Sequence, residues 1–301
     1  MARSSWSPDV GLAGNLRIWR EPATASAGGA AGPRNQHWKS LAGLVGAWLV
    51  LGVAWEAGSR IGLLNAAILP PPSQFIPYLI ETSGSVGLGV NKVSCGAALI
   101  ETVLRVSAGF GLGVGTGLLA GSVLSAIPWA RVIGVPIAQI LAPIAPMAWI
   151  PLAIVLFGTG DGAAVFVVFM GIAASMTLAT VAALGGVPAE YIKSARSLGS
   201  RGWRLWLRVV LPAAAPSIAT GIRLSFFAAW MSVLAGEMAG INSGLGSLVI
   251  LGQQEFQMNL VMAGLVTIGV LGFAFDRLLL LLRRRLLWWE GRGARTVADH
   301  A

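Results

Sequence analysis

Arg105, Arg223 and Glu237 sit in or beside long stretches of apolar sequence, where an uncompensated charge at mid-membrane costs about 2.5–3.5 kcal/mol. A charge so placed must find a partner or serve something that passes it. Arg105 follows Glu101 by four residues, so on a helix the two can form an i, i+4 ion pair near the outer end of a span. The sharper alternative is that Arg105 attracts an anion entering from outside. Arg223 lies about three turns after Pro212, deep enough to face a bundle interior or a wet cavity, as half of a structural pair or as a pathway residue. Glu237, just beyond the same span, can partner either arginine or gate the outer mouth. Holding, steering and gating a charged solute is the chemistry these residue types offer.

Bond-making chemistry lacks its parts. Asp161, Glu237 and Glu255 are scattered and form no acid–base set. Asp276 and Arg277 near the end of the last apolar run read as interface anchors. The single Cys95 cannot close an internal disulfide, and His37 and His300, both near the termini, give too few ligands for a metal. Lys39, Lys92 and Lys193 are the only lysines and none follows a glycine, which a phosphate-cradling P-loop requires. Any ATP is hydrolysed by another chain.

The elements that position these charges are membrane helices. The hydrophobic fraction is 55% and the charged fraction 11%, against roughly 25% charged in soluble domains. Charge-free runs at Val106–Ala130, Val132–Gly160, Gly162–Ala189 and Phe256–Phe275 each meet the need for about 20 apolar residues per span. Leu41–Trp55 and Pro212–Gly236, the latter interrupted by Arg223, bring the expected count to about six, in an all-α integral membrane protein. A β-barrel needs alternating strands of roughly ten residues, which these continuous runs do not resemble.

Basic residues set the expected orientation. With the N-terminus cytoplasmic, that side holds Arg3, Arg17, Arg20, Arg34, Lys39, Arg131, five bases of the 187–211 loop, Arg277, Arg283 to Arg285, Arg292 and Arg295, leaving Arg60 and Lys92 outside. This asymmetry accounts for most of the net charge of +9 without any nucleic acid. Both termini are therefore expected in the cytoplasm. The first forty residues, rich in Gly, Ala, Ser and Pro, lack the pattern of a signal peptide and read as a flexible cytoplasmic tail.

Gly109, Gly113, Gly117 and Gly121 recur every four residues, baring one helix face so that a neighbour can approach closely. Pro143, Pro146 and Pro151 interrupt the third run and Pro136 precedes them, which predicts a span kinked or broken midway. Between the fourth and fifth runs lies VPAEYIKSARSLGSRGWRLWLRVVLPAAAP, residues 187–216. Pro188 can start a helix and Gly199 can end one in the left-handed conformation. On that helix Tyr191, Ala195 and Leu198 share a face, with Glu190, Lys193 and Arg196 elsewhere around it. Beyond the glycine, Arg201, Arg204 and Arg208 repeat at helical spacing, with Trp203 and Trp206 among them.

This loop resembles the EAA motif of ABC importer permeases: Glu-Ala-Ala, three residues, Gly, nine residues, Ile-x-Leu-Pro. Lys193, Ser194 and Ala195 fill the first three places, Gly199 the glycine, and Val209-Val210-Leu211-Pro212 the ending; Lys193 and Ser194 depart from the usual glutamate and alanine. Leu69 to Ser73, Thr102 to Phe110, Pro143 to Phe157, Gly221-Ile222-Arg223, Glu237-Met238 and Gly244-Leu245-Gly246 are similar to the nitrate, taurine and aliphatic sulfonate branch, so that the resemblance covers about residues 69–290. Taken with the composition and the apolar runs, this gives residues 1–40 as tail, 41–68 as first transmembrane helix and start of an outer loop, 69–290 as the permease domain with its coupling loop at 187–211, and 291–301 as a cytoplasmic tail. The resemblance further implies a homodimer in the bacterial inner membrane, in contact with lipid, with two ATPase copies below and an extracytoplasmic solute-binding protein above. Glu190, Tyr191, Lys193, Ser194, Ala195, Leu198, Gly199, Leu211 and Pro212 would couple to the ATPase. The solute is expected to be taurine, another organosulfonate or a nitrate-like anion. A heterocyclic vitamin precursor is the alternative within the family, and a secondary transporter the alternative outside it, although no internal repeat or set of titratable residues in the spans supports the latter.

Overall fold

The computed structural model describes residues 33–287 apart from 64, 66, 82–94 and 242, and every regular element among them is helical. The first expected span falls within α1 (Pro33–Arg60), which begins inside the segment expected as tail. Residues 1–32, Lys92, the Trp288-Trp289 pair and the C-terminal tail lie outside the described residues. From Trp55 onward the chain forms one packed unit, distinct from residues up to Ala54. In it, the Glu56 carboxylate accepts bonds from the Ser73 N–H (3.3 Å) and hydroxyl (2.9 Å), fastening the end of α1 to the first turn of α2 (Pro72–Glu81).

α3 runs from Cys95 to Ala126, starting well before the expected Val106, and stops where Ile127 turns extended ahead of Pro128. The earlier start takes Glu101, Thr102 and Arg105 into the helix. α4 (Pro128–Leu141) and α5 (Ile150–Phe157), with a 3₁₀ turn at Pro146–Trp149 between them, make up the third expected span, bent by 96° at its break. Pro143 and Pro146 withhold the amide hydrogens that would carry α4 onward, which is the interruption expected there. Gly158, at φ 74°, ends α5. α6 (Asp161–Gly185) follows, with the negative charge of Asp161 in its first turn complementing the helix dipole.

α7 (Ala189–Ser197) is the short connecting helix; Pro188 precedes it and Gly199, at φ 82°, closes it, with the Ser200 N–H reaching back to the Ala195 carbonyl (3.0 Å). α8 (Gly202–Leu205) passes through a π turn (Trp206–Val210) into α9 (Leu211–Ala239) without a break. The fifth span was expected to start at Pro212; instead one continuous helix runs from Gly202 to Ala239. Proline has no N–H to return to the Arg208 carbonyl, and the widened turn absorbs that loss, with the Leu211 N–H bonding the Trp206 carbonyl five residues back. α10 (Leu245–Gln254) and α11 (Met258–Leu286) complete the unit. Four helices among the described residues are long and apolar enough to cross a membrane, and the bent pair makes a fifth.

α6 is the central post. A Cβ added at Gly109, Gly113, Gly117 or Gly121 of α3 would come within 3 Å of Val168, Ile172, Met176 and Thr180 of α6 respectively, whereas one at Gly111 or Gly115 would meet nothing within 4 Å. The fourfold glycine spacing is thus a packing seam in which each bare backbone receives one side chain from the facing helix. On the other flank of α6, Gly171 faces Ser232 and Ala179 faces Gly221, drawing α9 in as well. Val168, Ile172, Phe226, Ala229, Trp230 and Val233 form the apolar core among α3, α6 and α9. The Thr177 and Thr180 hydroxyls donate to carbonyls of their own helix, so neither is buried without a partner.

Candidate functional site

At the end of the bundle where α6 begins, α3, α6, α9 and the loop ahead of α10 converge on Arg105. It lies about three turns into α3, and its side chain is only 4% exposed. Its five N–H groups have five partners. Nε donates to Asp161 Oδ1 (2.6 Å), Nη1 to Glu237 Oε1 (3.2 Å) and the Ser243 carbonyl (2.9 Å), and Nη2 to the Ser243 hydroxyl (2.6 Å) and Glu101 Oε2 (3.4 Å). The Glu101–Arg105 pair expected from spacing is present, as the longest of these contacts and with Glu101 well exposed.

Glu237 was expected just beyond the fifth span. It lies inside α9, fully buried, because α9 continues to Ala239 and Gly240 is the first residue to break it. Burial is tolerated because donors surround the carboxylate. The Thr102 hydroxyl donates to it (2.7 Å), Arg105 does so from above, and the Gly246 N–H closes the set (2.9 Å). Thr102 in turn accepts the Leu245 N–H (2.9 Å). Two otherwise orphaned amides at the start of α10 are thereby satisfied. Gly244, at φ 100°, lies so close that a Cβ would collide with the Glu237 carboxylate, and a Cβ at Gly246 would strike Glu237 Cβ and the Leu234 carbonyl. The glutamate and the Gly-Leu-Gly run therefore form one device that locks α9, α10 and α3 together. Of the two arginines, Glu237 partners Arg105. Scattered in sequence, Glu101, Asp161 and Glu237 are gathered by the fold around a single cation.

Arg223 forms a separate pair. Its Nε and Nη2 bond the two Asp276 carboxylate oxygens at 2.6 and 2.9 Å, a bidentate clasp between α9 and α11. Asp276 departs from the interface-anchor position that the sequence predicts for it. It is buried against this arginine, while the Arg277 guanidinium lies 4.6 Å over the Phe273 ring. The signal available in the sequence was a lone aspartate within an apolar run, which demands a partner as surely as a lone arginine does.

At the opposite end of α6, α7 lies against α8 and the π turn. Glu190, Tyr191, Lys193, Ser194, Leu198 and Gly199 are exposed, Tyr191 at 57% and Leu198 at 88%. Ala195 departs from the expected exposed face: it is buried, so the smallest residue of that face is the one turned against the chain. Leu211 and Pro212 are half-buried at the start of α9. Trp203 and Trp206 stack with ring centres 6.2 Å apart.

Buried charges here are spent on one another, membrane-crossing helices carry them, and a short helix stands out at one end: this is a transport subunit that performs no covalent chemistry of its own. Residues 113–288 match the family described as the binding-protein-dependent transport system inner membrane component, and the chain belongs to that family of ABC importer permeases. A putative ABC transporter permease protein of Methanocaldococcus jannaschii is 32% identical over 79% of this chain and 88% of its own length. The taurine transport system permease protein TauC of Escherichia coli is 29% identical over 82% and 89%. The fold is shared with a chain of the inward-facing MetNI methionine ABC transporter, at a TM-score of 0.53 and 20% identity over 62% of this chain and 91% of that one. The protein is thus a multi-pass inner-membrane permease that works with an ATPase and a solute-binding protein.

Proposed function

We propose that two copies of this chain form the translocation pathway for a small anion of the taurine, organosulfonate or nitrate type, delivered from outside by the binding protein and driven by two copies of the ATPase. ATP is bound and hydrolysed by that partner. Both termini lie in the cytoplasm. The observation that carries the reading is α7: a short helix with one exposed apolar edge, Tyr191 and Leu198, at the exit of the central post α6. It is the coupling helix. Glu190, Lys193, Ser194 and Gly199 border the docking face, while Ala195, Leu211 and Pro212 seat α7 and α9 behind it. The taurine permease among the relatives supports the solute class. Arg105 and Glu237 act as a clasp on the outer side rather than as solute contacts, since each of the five Arg105 donors is already engaged. Arg223 acts as the inner clasp between α9 and α11.

Uptake into proteoliposomes containing this chain, its ATPase and its binding protein tests the reading, with labelled taurine, an alkanesulfonate or nitrate outside and ATP inside. ATP-dependent accumulation of one of them is expected. No accumulation of any, with the ATPase bound and active, overturns the solute class; failure to bind an ATPase overturns the coupling role of α7.

A further inference from the structure

The third span breaks deep in the membrane. Pro146, in the turn between α4 and α5, packs on α6 at Gly171, where an added Cβ would come 3.1 Å from its ring. From Asp161 to Gly171, α6 rises about 15 Å, half the thickness of a hydrocarbon layer of about 30 Å. Gln139 lies in the last turn of α4, just ahead of the break; it is exposed, and its amide makes no hydrogen bond among the described residues. We infer that the open face of this break, from Gln139 to Ala148, lines the water-filled route of the solute, and that the Gln139 amide donates a hydrogen bond to an oxygen of the passing anion. The inference rests on the reading of this chain as the translocation pathway for an anion, and makes no use of α7.

Non-helical backbone is tolerated at such depth only where protein buries it or water reaches it. Pro143 and Pro146 have no N–H to return to the Gln139 and Ala142 carbonyls. The amides that remain make short turns, Ile144 donating to the Leu141 carbonyl (3.2 Å) and Ala148 to that of Ala145 (2.9 Å). Pro143, Ala145, Met147 and Ala148 are exposed, Met147 at 58%, so the chain itself does not bury the break on this side. Gln139 and Pro143 are four residues apart and share a helix face, which places the amide on the same side. An unpaired amide is disfavoured against lipid tails, and apart from Arg131 near its start α4 carries no other strongly polar side chain. A second copy packed over the break would bring few spare donors to it. The hydroxyls of Thr116, Ser125, Thr177, Thr180 and Ser232 already donate to carbonyls of their own helices, whereas water supplies donors and acceptors alike. A cavity of about 550 Å³ between α3, α4 and α6, with Leu141 and Met170 among its walls, reaches the same level. With one uncharged donor, an oxyanion is oriented without being held as tightly as a free arginine would hold it.

The test places single cysteines in a Cys95→Ser background and embeds the complex of this chain with its ATPase in nanodiscs, so that both faces meet the buffer. Gln139→Cys and Met147→Cys should react with 2-sulfonatoethyl methanethiosulfonate, an anion that does not enter lipid, about tenfold or more faster than Val270→Cys, since a thiol ionises readily only where water reaches it. Val270, in the middle of α11 and 62% exposed, serves as the lipid-facing reference. Equal rates overturn the inference. So does a disulfide between copies at Met147→Cys without labelling, which would put the partner copy over the break. Labelling needs neither solute nor ATP, so it decides the location even where no taurine, alkanesulfonate or nitrate is taken up, a result that would sink the solute class alone. For the donor, Gln139→Leu should leave the melting temperature within about 2 °C of wild type, since the residue is exposed. It should cut ATP-dependent uptake about fivefold, as the loss of one hydrogen bond implies, and Gln139→Asn, which keeps an amide, should recover part of it. Unchanged uptake in Gln139→Leu overturns the donor role.

Discussion

Replacing Arg105 by Met keeps the length of the side chain and removes its charge and all five donors. Glu237, fully buried, would then retain only the Thr102 hydroxyl and the Gly246 N–H. Breaking a buried pair from one side costs about 3–5 kcal/mol. Glu237→Gln is milder: Arg105 keeps Asp161, Ser243 and Glu101, and the amide oxygen can still accept, so the loss is the one charge-assisted bond to Arg105, about 1.5–3 kcal/mol. Asp161→Asn is milder still, because the Asp161 side chain is 77% exposed and pairs with such an exposed partner contribute about 0–1 kcal/mol. In thermal unfolding of the detergent-solubilised protein, at about 2–4 °C per kcal/mol for a chain of this size, the ranking is therefore Arg105→Met well below Glu237→Gln, with Asp161→Asn close to wild type. Arg105→Met combined with Glu237→Gln should lose less than the sum of the two, since neither charge is then left alone. A loss in Asp161→Asn equal to that in Arg105→Met would refute the assignment of Glu237 as the principal partner. Strict additivity in the double variant would refute their coupling.

The glycine seam gives a matched contrast. Gly113→Leu should destabilise by more than the 1–3 kcal/mol of ordinary overpacking, while Gly115→Leu, one turn face away in open space, should cost under about 0.5 kcal/mol, measured in the same melts. Gly113→Ala paired with Ile172→Ala should regain part of the loss of Gly113→Ala, because the second change removes the atoms that the added methyl meets. At the other end, Leu198→Asp should abolish ATP-dependent uptake while leaving the melting temperature within about 2 °C of wild type, since Leu198 is 88% exposed; unchanged uptake would remove Leu198 from the docking face. Gly199→Val should reduce both, as φ 82° is strained for a β-branched residue.

Runs of apolar residues and prolines made the spans, the broken third span and the short helix between Pro188 and Gly199 legible, because hydrophobic length and proline chemistry act locally. The glycine seam was legible as packing, though not its partner, since the spacing of Gly109 to Gly121 shows a bare face and leaves open what fills it. The ion pairs were less so. Glu101 and Arg105 could be matched by spacing; Arg105 with Glu237, 132 residues apart, could not, and neither could Arg223 with Asp276. Charge pairing across a bundle is fixed by the rotation of each helix, which hydrophobicity reports poorly when a helix is apolar all round. Pro212 misled by its strength as a breaker. The π turn shows that a proline inside a continuous helix need only shift the hydrogen bonding ahead of it by one residue. Ala195 misled because a shared face on a wheel does not say where along that face the chain itself makes contact.

The continuity of the helix from Gly202 to Ala239 has a mechanical consequence. Its 38 residues make a rod of about 57 Å, with α7 near one tip and Glu237 at the other. Close to its midpoint, Gly221 abuts Ala179 and Arg223 grips Asp276, which is where a fulcrum would be placed. A tilt of about 5° around that point carries each tip about 2.5 Å in opposite directions, on a half-length set by the helical rise. Hydrogen bonds of 2.7–3.2 Å do not survive such a displacement. A movement at one membrane face too small to disturb the packing around the pivot is therefore large enough, at the other face, to open the clasp around Arg105.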